Sequence, residues 1–583
     1  MRLVPVAGVV ALGLFSAKGA LGLWYATFTR LDASAGELLT FAMAALGLGA
    51  FFAFDLLQRV TRSFFPDVAQ TSTHPPRHRA DGLSRLLPPR FRSAGSWGSR
   101  LALITVLVTP SLVLSGSAYL AYDWDRSEPY PVAAPAVLPS YPVSLPSEAT
   151  WTHDIHSVLD VTAGAAGPLV LTDDSLLSLD PSTGRIRWEY DRQGKKFAQH
   201  GVALDGVRGE PPYLITSPDR RHVAVTLGEL DSSEKNSDND LGLEPALTIV
   251  LDTVTGRVTN VHFNDGVAVQ LTDSVLLAGS TVYSLADDSV LWKLSDVEAD
   301  FSPATSSDRS PYTGTGGHAS LMFIDTIGTG ERNGTGRITL VPDTNPRDVS
   351  LAIPTAFAHG SPLVVDGWTI TYTDMDQDEL SSAESSYMKA HSAQAVSLDA
   401  LAKVPGADTR TYDLGQTLGI APMTSRLSGR LAVLPATAPV SSTPENRLIP
   451  NLWTDQSLVA TTFNPRTRAV LPASQDPGLV TAVGITRADD GQGRISLQSG
   501  DKSNTTSIPL ENGTVSFVPG ASGHNPGLFD FPVDGSGQST INQGKDISAL
   551  STPGVTVVLL RPTNESWTTG TRLRLYGLVG ASS

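Results

Sequence analysis

A short hairpin unit recurs along this chain of 583 residues, and it limits the possible folds more than any other feature of the sequence. In the clearest copy, Leu176–Tyr190, one strand ends at Leu-Asp, a turn closes at Thr-Gly, and a second strand contains Trp188. Glycine supplies the positive φ that a tight turn needs, and aspartate caps such a turn with its side chain. The unit predicts an antiparallel hairpin whose aromatic residue packs between neighbouring sheets.

Two further copies keep parts of the unit. Thr248–Val258 repeats the Leu-Asp-x-x-Thr-Gly-Arg core without the Trp, and Val282–Trp292 keeps the Trp but has Asp287 and Asp288 in the turn. Short runs of Val, Ile, Leu and Thr between turn residues predict strands elsewhere in the region after Trp151. Examples are Pro168–Thr172, His222–Leu227, Ala246–Asp252, Val267–Leu271 and Thr369–Thr373.

An all-β region of this length must protect its sheet edges, and repetition around an axis is one way to do so. At the hairpin units the chain resembles the quinoprotein-type, or PQQ-like, β-propeller repeat, which reads loosely Tyr-Ala-Leu-Asp-x-x-Thr-Gly-x-x-x-Trp-x-Tyr. The resemblance is clear over about Trp151–Leu294. It implies a disc of seven or eight blades over 151–583, without implying a bound quinone.

Eight blades are preferred because five more candidate hairpins follow the first three. These hairpins are Arg337–Ile353, Ala395–Leu414, Leu458–Leu471, Arg494–Leu510 and Val555–Leu578. Closure of the disc is expected to pair the strand near Trp151 with a strand at Arg572–Leu578.

The first 121 residues differ from the rest in hydropathy and charge. They contain 11 Lys and Arg against 5 Asp and Glu, whereas residues 122–583 contain 31 against 53. Three apolar runs lie near 3–28, 38–57 and 101–121. A helix needs about 20 apolar residues to cross a bilayer, so the sequence predicts a transmembrane anchor of about three helices.

The loop at 58–100 orients this anchor. It carries eight arginines against two aspartates, and positive loops remain cytoplasmic. The N-terminus is therefore expected inside and the large domain outside the cytoplasm. Lys18 interrupts the first run, so cleavage of a signal peptide is an alternative to retention of the span. We favour retention because Ala20–Phe28 continues the run.

A proline-rich stalk at 122–150 connects the anchor to the strands. Six prolines between Asp123 and Glu148 favour an extended polyproline II conformation. The segment is expected either to hold the domain away from the lipid or to fold back along it.

Composition narrows the chemistry of the chain. It has no cysteine, which excludes disulfides, thiolate metal sites and cysteine nucleophiles. The acidic region after residue 121 repels nucleic acid, so no nucleic-acid partner is expected. Arginine outnumbers lysine 33 to 9, which is a hint of a GC-rich bacterial genome.

Candidate sites in the sequence are weak. Asp374, Asp376 and Asp378 have the spacing of a calcium loop, but Glu379 and Ser385 stand where Gly and Glu are wanted, which favours an acidic surface loop. His153 and His156 point to opposite faces of a strand. His74 and His78 belong to the basic loop, Gly328–Gly336 is expected to be a loop, and Glu229–Asp240 a solvated insertion.

No motif for a catalytic serine, a phosphate loop, a dinucleotide site or a zinc protease is present. We therefore expect no catalytic residue, metal or cofactor, and a bacterial membrane-tethered scaffold that binds an envelope protein or cell-wall partner on its propeller face. Two alternatives stay open: a PQQ-dependent oxidoreductase, whose catalytic Asp we cannot place, and a ligand-sensing membrane protein.

Overall fold

The structure is a computed structural model, and every structural statement below refers to the residues that it describes. These are 132–191, 197–198, 213–228, 246–264, 268–296, 309–311, 314–325, 337–346, 350–352, 363–374, 390–437, 459–476, 478–487, 492–499, 505–514, 516–517, 528–533, 537–542, 547–560 and 571–580. The chain divides into two units, Met1–Ser127 and Glu128–Ser583. The predicted spans and the Arg-rich loop at 58–100 lie outside the described residues.

Almost every element in the described part of the second unit is a strand. Its helices are two short α-helices, α1 (Leu398–Leu401) and α2 (Pro422–Ser428), and two single 3₁₀ turns at Leu294–Asp296 and Ala473–Gln475. No described helix has the length and hydropathy of a membrane span.

A seven-stranded antiparallel sheet joins the two ends of this unit. Its strands are β1 (Trp151–Gly164), β2 (Gly167–Thr172), β3 (Ser175–Leu179), β4 (Ile186–Asp191), β31 (Ile547–Thr552), β32 (Val555–Leu560) and β33 (Thr571–Leu578). The strand order across the sheet is β31-β32-β33-β1-β2-β3-β4.

Strand β1 serves two partners in succession. Its first part pairs with β33, where Trp151 lies opposite Gly577, and its second part pairs with β2. Ser157, with φ 56°, lies between the two parts, where the register shifts. The predicted pairing between the strand near Trp151 and Arg572–Leu578 is therefore confirmed. We call β1–β4 sheet 1, and β31–β33 with the first part of β1 the closing sheet.

The next three sheets follow in chain order. Sheet 2 contains β5 (Phe197–Ala198), β6 (Ile215–Thr216), β7 (His222–Leu227), β8 (Ala246–Asp252) and β9 (Val258–Asn264). Sheet 3 contains β10 (Val269–Leu271), β11 (Val275–Ala278), β12 (Thr281–Ser284) and β13 (Val290–Lys293). Sheet 4 contains β14 (Arg309–Pro311), β16 (Ser320–Asp325), β17 (Arg337–Pro342) and β18 (Ser350–Ala352), and β15 (Gly314–Thr315) pairs in parallel with β10.

Four three-stranded sheets complete the unit. Sheet 5 contains β19 (Trp368–Tyr372), β20 (His391–Ser397) and β21 (Tyr412–Thr417), and sheet 6 contains β22 (Leu431–Val433), β23 (Thr461–Asn464) and β24 (Ala469–Pro472). Sheet 7 contains β25 (Val480–Arg487), β26 (Gln492–Ser499) and β27 (Thr505–Thr514). A side sheet contains β28 (Ser516–Phe517), β29 (Leu528–Val533) and β30 (Gly537–Asn542).

Buried apolar side chains pack successive sheets face to face. Sheet 2 meets sheet 3 at Val250 and Leu271, sheet 3 meets sheet 4 at Trp292 and Leu321, and sheet 5 meets sheet 6 at Ile370 and Phe463. Sheet 4 packs on α1, which follows β20 of sheet 5, through Leu340 and Leu398. The closing sheet packs on sheet 7 through one cluster and shares another with sheet 1. Sheets that stack in sequence, with the N-terminal strand completing the last one, define a β-propeller.

All eight hairpins expected from the sequence are present as antiparallel pairs. The first three copies are β3–β4, β8–β9 and β12–β13, and the other five are β17–β18, β20–β21, β23–β24, β26–β27 and β32–β33. The side sheet was not expected. Its strands are flanked by Gly, Asn and Pro and lack the hairpin unit.

The tryptophans of the repeat bind the turn of the neighbouring sheet. Trp188, at the end of sheet 1, donates from Nε1 to the carbonyl of Thr253 in sheet 2 at 3.1 Å, and its ring covers Gly256. Trp151 bonds Pro181 and covers Gly184 in the same way, and Trp292 bonds Asp343 at 2.8 Å. Only 3% and 6% of Trp188 and Trp292 is exposed, so the predicted packing between sheets is confirmed.

The two irregular copies of the unit face each other. Asn260 stands where the second copy lacks Trp, and its amide donates to the carbonyl of Ser284 at 3.0 Å and to the carboxylate of Asp288. Asp288 has φ 61° and occupies the glycine position of the third turn. A flat indole needs a glycine beneath it, whereas an amide needs an acceptor. At the interface between sheets 2 and 3, the hydrogen bond between Asn260 and Asp288 therefore takes the place of the Trp–Gly contact.

Candidate functional site at the centre of the sheets

Turns from different sheets meet at one group of buried charges. Arg220 lies in the turn between β6 and β7, Asp366 in the turn before β19, and Arg466 in the turn between β23 and β24. Tyr141 reaches the same point from the proline-rich segment. We call these four residues the central cluster. Sheets 2 and 5 are not neighbours in the packing order, so contact between Arg220 and Asp366 places the cluster at the centre around which the sheets are arranged.

Asp366 is held between two arginines. Its Oδ1 accepts from Arg220 Nε at 3.0 Å and lies 2.9 Å from Arg220 Nη2. Its Oδ2 lies 2.8 Å from Arg466 Nη2. The side chains of Arg220 and Asp366 are 12% and 9% exposed. A buried carboxylate between two guanidinium groups is costly to break, because loss of one partner leaves uncompensated charge away from water.

Tyr141 covers the ion pairs. The guanidinium carbon of Arg466 lies 3.4 Å from the centre of the Tyr141 ring, and that of Arg220 lies 5.9 Å away, which gives a cation–π contact. The hydroxyl of Tyr141 is buried and has no hydrogen-bond partner among the described residues. Burial raises the pKa of this phenol, and the opposing charges of Arg220 and Arg466 do not cancel that effect.

The backbone of the cluster is unusual for its residue types. Arg220 has φ 62° and Asp366 has φ 45°, conformations that cost free energy outside glycine and persist only when the surroundings impose them. A turn of sheet 1 and a second turn of sheet 2 hold Arg220 in place, because its carbonyl accepts from Ala165 N at 2.9 Å and from Thr253 Oγ1 at 2.8 Å. A Cβ at Gly429 would lie 2.6 Å from Arg466 Nη2, so glycine makes room for this arginine.

Two further ion pairs flank the cluster. His318 Nδ1 lies 2.7 Å from Asp273 Oδ2, and this bond joins the turns of sheets 4 and 3. The bond to Asp273 and the charges of Asp273, Asp399 and Asp366 raise the pKa of His318, although burial acts to lower it. Arg430 Nε lies 2.7 Å from Asp476 Oδ2, between sheets 6 and 7.

The proline-rich segment crosses the ends of the sheets to reach the cluster. Val132 N donates to Thr255 O at 3.0 Å, and Gly554 N donates to Ser140 O at 2.8 Å. Leu145 is buried in the cluster that joins sheet 7 to the closing sheet. From Val132 onward the segment thus folds back along the domain, which is the second of the two conformations expected from its sequence.

The central cluster joins turns of sheets 2, 5 and 6 through ion pairs. Asp366 pairs with both arginines, and the ring of Tyr141 already occupies the space above them. These contacts fix the positions of the turns that carry Arg220, Asp366 and Arg466. In the described part of the chain no three His, Cys, Asp or Glu side chains are close enough to share a metal ion.

The residues singled out from the sequence lie away from this centre. His153 is partly buried and His156 exposed on β1, and Asp154 between them binds Arg574 of β33 through contacts of 2.6 and 2.8 Å. Asp374 Oδ1 accepts from Ser392 N at 2.9 Å. Asp376, Asp378, His74, His78, Gly328–Gly336 and Glu229–Asp240 lie outside the described residues.

Sequence reasoning did not find the central cluster. Each of its three charged members sits in a motif typical of turns, Ser-Pro-Asp-Arg for Arg220, Val-Asp-Gly-Trp for Asp366 and Asn-Pro-Arg for Arg466. Such motifs predict turns, but convergence of turns separated by up to about 250 residues depends on the order of the sheets around the centre. The available signal was that the first turn in several successive sheets carries a charged residue at its tip.

No known protein-family model matches the sequence, and none of the curated proteins matches it. Among solved structures, TolB from Acinetobacter baumannii is 11% identical, with 62% of this chain and 64% of TolB covered and a TM-score of 0.23. The match therefore spans less than two thirds of TolB.

Two other solved structures cover more of the chain. The β-propeller domain of the trilobed protease from Pyrococcus furiosus is 8% identical, with coverage of 72% and 95% and a TM-score of 0.25. Quinohemoprotein alcohol dehydrogenase ADHIIG from Pseudomonas putida HK5 is 10% identical, with coverage of 75% and 76% and a TM-score of 0.19. Similarity at this level assigns neither family nor activity, and the fold of this chain rests on its own strand pairing.

Proposed function

We propose that this protein is a bacterial membrane-tethered scaffold, whose propeller lies outside the cytoplasm and binds an envelope protein or cell-wall partner without catalysing a reaction. The central cluster carries the proposal. Among the described residues, the centre of the turns is filled by Tyr141 and by Asp366, which pairs with both Arg220 and Arg466, and this arrangement holds the surrounding turns in fixed positions. A rigid disc whose long connections vary freely is suited to binding.

The binding face would be the one opposite the central cluster. Long connections at 229–245, 326–336, 375–389 and 438–458 join β7 to β8 in sheet 2, β16 to β17 in sheet 4, β19 to β20 in sheet 5 and β22 to β23 in sheet 6. The turns that build the central cluster join other strands, at the other ends of the same sheets. The connection at 229–245 contains six acidic residues and one lysine, which favours a cationic partner.

The finer architecture that we propose is eight blades: sheets 1 to 7 and the closing sheet. Val480, Ile495 and Leu497 of sheet 7 pack directly on Ile547 and Val558 of the closing sheet. The side sheet is therefore not inserted between them, and it would extend sheet 7 without adding a blade.

The absence of cysteine makes the topology directly testable. Val290→Cys introduces one thiol at a side chain that is 53% exposed on β13, and Ser84→Cys introduces one in the Arg-rich loop. A membrane-impermeant maleimide added to intact cells is expected to label the first variant and to label the second only after lysis. The reverse pattern would contradict the extracytoplasmic location.

The scaffold role is tested with a photoreactive residue at Asp238 or Glu384, in two of the long connections, and at Thr183 as a turn control. Discrete adducts are expected from the connections and none from the control. The oxidoreductase alternative is tested on the purified protein with PQQ and Ca²⁺. A quinone absorbance change with turnover of an alcohol would replace the scaffold proposal.

A further inference from the structure

Exposed apolar side chains concentrate on the proline-rich segment. Val137 is 82% exposed, and Leu138 and Val143 are each 45% exposed. These three account for three of the seven large hydrophobic side chains exposed in the described part of the chain, and they lie within seven consecutive residues. Isolated exposed hydrophobics are common on protein surfaces, but a group of this kind marks an interaction surface.

The backbone beneath these side chains is fixed to the domain. Val132 and Ser140 form hydrogen bonds with the turns of sheet 2 and of the closing sheet. Pro142 and Leu145 are buried, and Tyr141 enters the central cluster. The apolar side chains between and beside these anchor points are therefore held outward and cannot reach the core of their own domain.

Positive charge adjoins the same segment. Thr255, which accepts from Val132, is two residues from the exposed Arg257. Pro139 and Pro181 both contact Gly554, and Pro181 begins the turn that ends at the exposed Arg185 and Ile186. Neither Arg185 nor Arg257 forms an ion pair within the described residues. Apolar side chains beside such arginines match an interface of acyl chains and anionic headgroups.

The short connection between the third predicted span and Val132 favours a lipid bilayer as the surface that these apolar side chains contact. Ten residues separate the end of the third predicted span, Ala121, from Val132. Even a fully extended chain of ten residues reaches only about 33–36 Å. The surface that binds Val132 is thus kept close to the bilayer, whereas a spacer of the whole proline-rich segment would have held it far away.

We propose that this strap, residues 132–145 with Arg185, Ile186 and Arg257, contacts the outer surface of an anionic bilayer, with Val137, Leu138 and Val143 inserted at headgroup depth. The proposal rests on the membrane tether of the proposed function. It assigns the two ends of the sheets different tasks, because the strap end faces lipid and the end with the long connections faces the partner.

The test uses the full chain in vesicles of phosphatidylcholine and phosphatidylglycerol that contain headgroup spin-labelled lipid. Val137→Cys and Val143→Cys each carry one fluorophore, and Phe263→Cys is the matched control. Phe263 is 40% exposed, and it lies six residues along β9 from the turn at Arg257, which is about 20 Å away. Quenching at 137 and 143 is expected to exceed that at 263 at least twofold.

A second variant tests the charges, and extraction separates the two proposals. Arg185→Glu with Arg257→Glu is expected to lower quenching at 137 in anionic vesicles but not in pure phosphatidylcholine. Equal quenching at 137, 143 and 263, with the protein retained after carbonate extraction, would overturn the lipid contact alone and assign the patch to a protein partner. Release by carbonate would overturn the tether and the lipid contact together.

Discussion

Two glycines show how single atoms define the contact between sheets. Gly184 and Gly256 have φ 69° and 76°, and each lies beneath a tryptophan of the preceding sheet. A Cβ at Gly184 would lie 2.6 Å from the ring of Trp151. Glycine is therefore required here for two reasons, since the turn needs a left-handed residue and the indole needs a flat surface.

The two reasons can be separated by experiment. Gly406 has φ 81° with nothing within 4 Å of its Cβ position, so Gly406→Ala carries only the backbone penalty. Gly184→Ala adds overpacking against Trp151, which typically costs 1–3 kcal/mol, so its free energy of unfolding should fall by about that much more. Chemical denaturation of both variants measures the difference. Equal losses would mean that the Trp151 contact contributes nothing.

At the scale of elements, the hairpin unit carried most of what could be predicted. Local signals, such as Thr-Gly turns and alternating apolar residues, located all eight hairpins because a hairpin is formed by neighbours in sequence. The side sheet and the central cluster were missed for the opposite reason. Arg220, Asp366 and Arg466 meet only because their sheets surround a common centre, and no local pattern encodes that distance.

The interface between sheets 2 and 3 gives a test of the Asn260–Asp288 contact that takes the place of the Trp–Gly contact. Asn260→Trp alone should destabilise the domain, because the indole would meet Asp288 where Trp188 meets Gly256. Asp288→Gly alone removes one of the two acceptors of Asn260. The double variant recreates the Trp188–Gly256 contact of the interface between sheets 1 and 2, so a favourable coupling of about 0.5–3 kcal/mol is expected in a double-mutant cycle. Additive effects within about 0.5 kcal/mol would contradict the equivalence of these positions.

At the scale of the whole molecule, ion pairs between turns join sheets that are far apart in sequence. Arg220 and Asp366 are 146 residues apart, and His318 and Asp273 are 45 residues apart. Tyr141 adds the proline-rich segment to the same centre. The stability of the domain therefore depends on charged groups that belong to several sheets at once.

His318 makes this dependence measurable. Its pKa is raised in the folded state, so protonation favours folding; the stabilisation is complete below its unfolded pKa of about 6.5 and is lost as pH rises through the folded value. His222 has a lowered pKa and acts in the opposite sense, but it is present in both the wild-type protein and the His318→Gln variant, so its effect cancels when the two are compared. His318→Gln should therefore lower the free energy of unfolding more at pH 5.5 than at pH 8. An equal loss at both pH values would refute the contribution of this pair.

Strand β1 has a consequence for biosynthesis. It is made first among the strands, yet its first part pairs with β33, which is made last, and Asp154 binds Arg574 across 420 residues of chain. A ribosome adds about 5–20 residues per second, so β1 waits tens of seconds for its partner. Throughout that interval the first part of β1 waits for the strand that completes its sheet. The order of synthesis thus makes ring closure the last event of folding and leaves premature termination products with an open sheet edge.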